Sequence, residues 1–518
     1  MHVVHCSIRS TLLGSAALIA GVAVALPAMA GPITSFTPGD LVISTVSSNN
    51  GAGLDSAAPI VLQQFQLGAG GTSITADGTL SLPQTNVGAN SAISGEYGSA
   101  SEGILQLSAN NQYLTIMGYG VNATAFNAAP LATYGTSALG QTTSQTPANQ
   151  TGTVFTTVPR VVALIGANAS VDTTTALTGV FNTNNPRSAA TVDGSSFYVS
   201  GQGASKTDPT QGVFYASRGA TTATAIDTST DTRVASIFNT GGGNTLYVSR
   251  DQNPAGGGSQ NFTNISSLTT AGGGLPISPS GVSTTHIIPP ASPLSSGGNN
   301  GSINLTTNTA NGVNNSRIGS FVYLSPESYF FAGPTVLYVT DSGQPKNGNA
   351  EKAALGEGGL QKWVLTNGVW TLDYDLVNGL HLVDNATANS NTLSAPGVTG
   401  LLGLTGEVVD GEVELFATSY GLNELSPSFL YEITDGLADT LPSQVSGEAF
   451  ISLDAPTDGT SIRGVAFAPV PEPASLLILT TGLAGLGLLR RRVARTTNVR
   501  SLKRARSRAP TPGNCAGR

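Results

Sequence analysis

The sequence predicts an all-β chain folded as an irregular β-propeller of about seven blades. Three observations carry this. First, residues 31–469 are rich in Gly, Thr, Ser, Asn and Ala, poor in charge, and lack any long 3.6-residue amphipathic stretch. Second, short apolar or alternating runs bounded by Gly, Asn and Asp recur throughout, which is the pattern of strands and turns. Third, five segments repeat one pattern, an aromatic or aliphatic run followed by a small polar residue and usually a Gly.

The strands can be followed along the chain. Leu41-Val42-Ile43-Ser44-Thr45-Val46, Ile60-Val61-Leu62-Gln63-Gln64-Phe65 and Arg160-Val161-Val162-Ala163-Leu164 are typical β-runs. The repeats begin at Leu114, Phe197, Leu246, Leu337 and Leu415, as in Phe197-Tyr198-Val199-Ser200-Gly201 and Leu337-Tyr338-Val339-Thr340-Asp341. Related strands, Pro186-Arg187-Ser188-Ala189-Ala190 and Thr232-Arg233-Val234-Ala235-Ser236, precede two of them. Further strands follow at Gly212–Ala216, Gly359–Val364 and Ser428–Ile433. Asn367-Gly368 between Trp363-Val364-Leu365 and Val369-Trp370-Thr371-Leu372 is a strong hairpin cue. A strand, turn, strand unit of this kind is what a propeller blade supplies, and the region is read as six to eight irregular blades, seven being favoured, with loops absorbing the excess. The Gly/Ser/Asn/Thr-dense stretch 253–315 reads as a long insertion. A two-sheet β-sandwich and a β-solenoid are the competing architectures.

The two ends predict a compartment. Arg9, the apolar stretch Leu12–Leu26, the breaker Pro27 and Ala28-Met29-Ala30 have the layout of a signal peptide, 1–30, cleaved after Ala30. At the other end Pro471-Glu472-Pro473 precedes an uncharged run, 474–489, and then Arg490-Arg491-Arg492. That run is a little short of the ~20 residues a membrane-spanning helix needs, and snorkelling arginines make up part of the difference. Ten of the 22 basic residues lie in the last 29 positions. Positive charge stays cytoplasmic, so the tail 496–518 is inside and the body is outside.

The three C-terminal elements together resemble the PEP-CTERM sorting signal, covering 470–495. The resemblance implies a sorting motif at Pro471, Glu472 and Pro473, a stop at Arg490, Arg491 and Arg492, and processing by an exosortase-type membrane protease after passage through the Sec translocon. It also implies association with exopolysaccharide at the cell surface or in the extracellular matrix. Ser461–Pro469 looks like the closing strand of propellers that carry this signal. The tail departs from the pattern in running on to Arg518.

Between residues 31 and 469 there are 11 basic and 29 acidic residues, a formal charge near −18. Such a body repels nucleic acid and attracts divalent cations. The only cysteines, Cys6 and Cys515, lie outside it, which excludes disulfides, thiol catalysis and Cys-based zinc sites there. His286 and His381 are its only histidines, and neither accompanies a Gly-x-Ser-x-Gly elbow. No catalytic residue is assigned and no cofactor is required. A Ca²⁺ site would draw on Asp193, Asp251, Asp341 and Asp410, which flank repeated strands, although turn formation accounts for them as well. The expectation is a non-enzymatic display or binding propeller. The alternative is a secreted Ca²⁺-dependent lactonase, esterase or lyase, which convergent acids at the ring centre would favour.

Overall fold

Asn367 and Gly368 both adopt positive φ, 53° and 81°, the backbone a type I′ turn demands. They join Gly358–Thr366 to Val369–Leu376 in register, Thr366 opposite Val369. The same device, Asp410 and Gly411 at 51° and 94°, joins Val398–Val409 to Glu412–Gly421. Local turn chemistry therefore sets the hairpins, and alternation along each strand sets which face is buried.

The computed structural model describes residues 31–48, 53–99, 101–145, 154–205, 207–250, 265–288, 302–308, 313–323, 326–342, 358–380, 382, 398–421, 428–454 and 459–472. It is nearly all β. The exceptions are a 3₁₀ turn at Ala69–Gly71 and two short helices, Ala123–Ala128, capped by the Asn122 side chain, and Pro130–Tyr134.

Four sheets are antiparallel meanders of blade type. The first runs Pro186–Ala190, Ser196–Gly201, Gly212–Ser217, Thr224–Asp227, and the second Ala235–Asn239, Asn244–Ser249, Ile265–Thr270, Val282–Ile288. The third runs Pro326–Phe331, Val336–Ser342, Gly358–Thr366, Val369–Leu376, and Val313–Tyr323 and Ser302–Asn308 extend its outer edge. The fourth runs Val398–Val409, Glu412–Gly421, Leu430–Gly436, Ile451–Asp454.

The remaining ten strands form one sheet made of two meanders. One is Thr460–Phe467, Leu41–Ser47, Ala57–Leu67, Ile74–Ser81; the other is Gln106–Leu107, Tyr113–Tyr119, Arg160–Gly166, Val171–Leu177. They are joined where Ala57–Pro59 pairs with Ser94–Glu96. The expected closing strand is present: Leu41 pairs with Phe467 and Ser47 with Thr460.

The described residues thus hold four separate blade-like sheets and one ten-stranded sheet, not seven blades. The length estimate ran high because connections such as 120–159 and the two edge strands use chain without adding a blade. The expectation for 253–315 also changes. Ile265–Thr270 and Val282–Ile288 within it are blade strands, and Ile265, Leu268 and Ile288 are wholly buried. Three wholly buried apolar side chains anchor this pair, with Val282 and Ile287 packed beside them, and the Gly/Ser turns around them hid it.

Hydroxyls on the second strands sew each sheet to the next. Ser44 donates to the Gly103 carbonyl at 2.6 Å, Thr115 to Ala189 at 2.5 Å and Ser200 to Arg233 at 2.9 Å. Ser249 donates to Glu327 at 2.6 Å, Thr340 to Leu402 at 2.9 Å and Thr418 to Arg463 at 2.8 Å. All six hydroxyl-bearing residues are buried. The last bond reaches the strand paired with Leu41–Ser47, so the series closes on itself. Ser200, Ser249, Thr340 and Thr418 are the small polar residues that end four of the sequence repeats.

Thr418 Oγ1 also accepts the Gly403 N–H at 2.8 Å. Thr418→Val keeps the shape and orphans both backbone groups, so it should destabilise by about 1–3 kcal/mol. The shift in urea midpoint checks this; an unchanged midpoint would show that the bond does not hold the closing strand.

Candidate functional site

In each sheet the first, inner strand starts at one end of the ring (the entry end) and finishes in a tight turn at the other (the exit end). Four charged residues stand at or just before inner-strand starts, Glu102, Arg187, Arg233 and Glu327, and a fifth, Arg463, lies within the inner strand Thr460–Phe467. All are at least nine-tenths buried. Burying a charge is costly unless it is paired, and these residues face one another across sheets. Arg187 forms an ion pair with Asp231, and its Nη2 donates to Gln202 at 2.6 Å. Arg233 Nε lies 3.8 Å from Glu327, whose other oxygen accepts from Ser342 at 3.1 Å. Burial pushes the Glu327 carboxyl up, and the positive charges of Arg233 and Arg187 oppose that.

Glu102 has a second carboxylate beside it. The Glu96 backbone N–H donates to Glu102 Oε2 at 3.3 Å, the Gly140 N–H donates to Glu96 Oε1 at 2.9 Å, and the Tyr119 hydroxyl donates to Glu102 Oε1. Burial first, then the charge of Glu102, pushes Glu96 up to about 9. Burial likewise pushes Glu102 up to about 7, against the hydroxyl of Tyr119, the Glu96 N–H and the charges of Arg463 and Arg160. The pair therefore shares at least one proton at neutral pH. Ser44, Glu96, Glu102, Gly103, Met117 and Arg463 line a small pocket with about 10 Å³ of free space, room for one water. Arg463 Nη2 is buried there without a hydrogen-bond partner. The arrangement can hold a water and a proton; a sugar ring does not fit.

A second buried cluster joins the third and fourth blades. Lys362 Nζ donates to Asp435 Oδ2 at 2.8 Å, Tyr374 Oη at 2.9 Å and the Gly436 carbonyl at 2.6 Å. Tyr374 donates to Asp435 Oδ1 at 2.7 Å, and Tyr338 donates to Oδ2. Burial and the Asp435 charge raise both phenols. Lys362 and Asp435 side chains are 0% exposed, so the cluster serves as an inter-sheet staple.

The sequence-expected acids do not converge. Asp193 is an exposed turn residue whose Oδ1 accepts from the Ser195 N–H and hydroxyl at 3.0 and 2.6 Å, which lowers its pKa. Asp410 is exposed in its own turn on another sheet. Both sit at the exit end, whereas Asp341 is fully buried at the entry end and accepts from Gln361 at 3.1 Å. Among the described residues no group of three His, Cys, Asp or Glu is placed to hold a metal ion. His286 belongs to a strand, not a loop, with Nδ1 3.3 Å from the Ser266 hydroxyl. Ala28, Ala30, Asp251, His381, Pro473, Arg490, Arg491 and Arg492 lie outside the described residues. The ring centre combines acids with arginines. Glu96, Glu102, Lys362 and Asp435 had no local signal. Arg187 and Arg233 did: they hold the same place in two related strands, and Arg463 holds it in the closing strand.

Past the closing strand, Ala468 N–H donates to the Asp40 carbonyl at 2.8 Å and Val470 N–H to the Asn111 carbonyl at 2.7 Å. Pro469 is buried, and Pro471 and Glu472 are exposed. The motif thus emerges directly from the fold, and the chain matches the PEP-CTERM protein-sorting motif over residues 469–492. The protein carries a PEP-CTERM sorting signal. This signal implies processing by exosortase and an exported protein held transiently in the membrane by its C-terminus. Among the described residues no helix is long and apolar enough to cross a membrane, and 474–489 lies outside them.

No curated protein matches the chain. Two solved structures resemble it at a low level. A Bombyx mori GH32 beta-fructofuranosidase, in complex with sucrose, is 10% identical with a TM-score of 0.27 and is matched over 65% of this chain and 62% of its own. A putative glycosidase from Bacteroides thetaiotaomicron is 8% identical with a TM-score of 0.20, over 78% and 93%. Likenesses at this level carry no functional meaning.

Proposed function

We propose that this PEP-CTERM protein is a non-enzymatic, surface- or matrix-displayed binding module, a closed six-bladed ring in which the ten-stranded sheet supplies two blades. The six inter-sheet hydroxyl bonds support the count. The observation that carries the role is the use made of buried charge: Arg187, Arg233 and Glu327 towards the ring centre, and Lys362 and Asp435 on the third strands of two blades, are buried against partners on neighbouring strands and sheets. Charges used this way stiffen a scaffold and leave recognition to the exposed Ser-, Thr- and Asn-rich loops. With a body charge near −18, the ring suits neutral polysaccharide of the surrounding matrix better than anionic polymer.

Delivery is tested by replacing Pro471, Glu472 and Pro473 with alanine in a host that has exosortase. The expected result is a membrane-retained precursor in place of the processed product. Release equal to that of the unaltered protein would remove the sorting step from the proposal.

A further inference from the structure

The sorting motif leaves the ring at one end only, and this fixes which way the anchored protein faces. The closing strand Thr460–Phe467 carries Arg463 in its first half and delivers Val470 to the exit end, where Val470 bonds Asn111. Arg463 and Val470 are seven residues apart, roughly 23 Å along a strand. The turns at the exit end are identified by bonds near Val470: Asn111 belongs to the turn 108–112, and Ala109 and Asn110 N–H groups donate to Thr191 and Val192 carbonyls at 3.0 Å.

From Val470 to Ala474, where the uncharged run begins, there are four residue steps, about 14 Å fully extended. The headgroup layer of one leaflet takes up roughly 5–8 Å of that. With Val470 fixed to the ring, almost no free stalk remains. Segments 68–73, 108–112, 167–170, 239–243, 271–281, 332–335 and 366–368 at the exit end contain no Asp, Glu, Lys or Arg, whereas 191–195, 218–223, 410–411 and 437–450 carry Asp193, Arg218, Asp410, Asp439 and Glu448. The uncharged turns, 108–112 beside Val470 among them, can approach lipid headgroups without charge repulsion.

We propose that the membrane-held precursor rests its exit face on the bilayer surface and turns the entry end, with Glu102, Arg187, Arg233, Glu327 and Arg463, outward. The inference rests on C-terminal anchoring by the sorting signal. Loops at the entry end, such as 202–211 after Gly201, which pairs with Pro186, then become the surface presented to the medium. Asp193 and Asp410 face the headgroups.

The test uses full-length precursor from a host without exosortase, with Cys6→Ser and Cys515→Ser, reconstituted in phosphatidylcholine vesicles containing a headgroup-nitroxide lipid. A fluorescent label is placed at Ala109→Cys on the exit face or at Ser205→Cys at the entry end; both residues are exposed. The expected result is several-fold stronger quenching at position 109. A 12-residue Gly/Ser insertion between Val470 and Pro471 should bring the two positions to equal quenching. Equal quenching without the insertion, or stronger quenching at 205, overturns the orientation. Quenching at 109 that changes only when exosortase is co-reconstituted assigns the face to a protein partner and also overturns it. Vesicle flotation separates the premises: a precursor that does not float removes the anchoring reading and the orientation with it.

Discussion

Replacing Lys362 with methionine should destabilise the protein by about 3–5 kcal/mol, the cost of leaving a buried carboxylate without its counter-charge. Asp435 is 0% exposed and accepts from Lys362, Tyr374 and Tyr338. Glu448 stands beside it and is pushed up to about 9, by burial first and then by the Asp435 charge. With the ammonium gone, the Asp435 carboxylate is left beside Glu448 without a cation. The double variant Lys362→Met with Asp435→Asn should recover part of the loss, because it removes the stranded charge and keeps the phenol contacts. Thermal midpoints and urea midpoints of the two variants check the pair. A single variant within 1 kcal/mol of the parent would show that the ion pair does not hold the third and fourth blades together.

Raising the pH from about 5 to about 9 should weaken the fold through Glu96 and Glu102. Their folded-state pKa values, about 9 and about 7, stand above the ordinary value of 4.5. The folded chain therefore binds more protons than the unfolded chain in this window. The stability these groups contribute is complete below about 4.5 and is lost as pH rises through 7 and towards 9, with a slope of at most about 1.4 kcal/mol per pH unit for each proton. Glu96→Gln fixes the protonated shape. Its stability profile should be flatter, and at pH 9 it should exceed the parent by on the order of a few kcal/mol. Equal slopes for the two proteins would mean that the carboxyl pair is hydrated and ionised like any surface pair.

Much of the architecture was legible because it is written over short spans. The Asn367-Gly368 hairpin needs only two residues able to take positive φ between apolar runs. The repeated Phe197–Gly201, Leu246–Ser249, Leu337–Thr340 and Leu415–Thr418 segments are the second strands of four blades, and their terminal hydroxyls are the inter-sheet donors. Leu41-Val42-Ile43-Ser44 fits the repeat in phase as a sixth member beyond the five counted, whereas the Thr115 hydroxyl stands at the second and not the fourth position of its segment, so the pattern does not mark it. The strands at 265–288 went unseen for a different reason: a few buried side chains suffice when both neighbouring strands supply the rest of the core.

The candidate site was less legible. Glu96 and Glu102 meet Arg463 from more than 360 positions away, and Lys362 meets Asp435 across 73. A sequence pattern marks an acid near a turn, which is why Asp193 and Asp410 stood out, but it does not distinguish a solvated turn former from a buried acid. Burial is a property of what packs on top.

The amino-acid sequence by itself determined the strand alternation, the hairpins, the charge asymmetry and the PEP-CTERM address, since each is encoded in contiguous residues. Only the tertiary structure decided the sheet count, which acids are buried, and that the sorting motif leaves from the end opposite the charged cluster. Those depend on closure, in which the Gly464 N–H meets the Ser44 hydroxyl at 2.8 Å across 420 positions of chain. No local propensity encodes a contact of that span; it forms because the sheets between have already brought the two ends together.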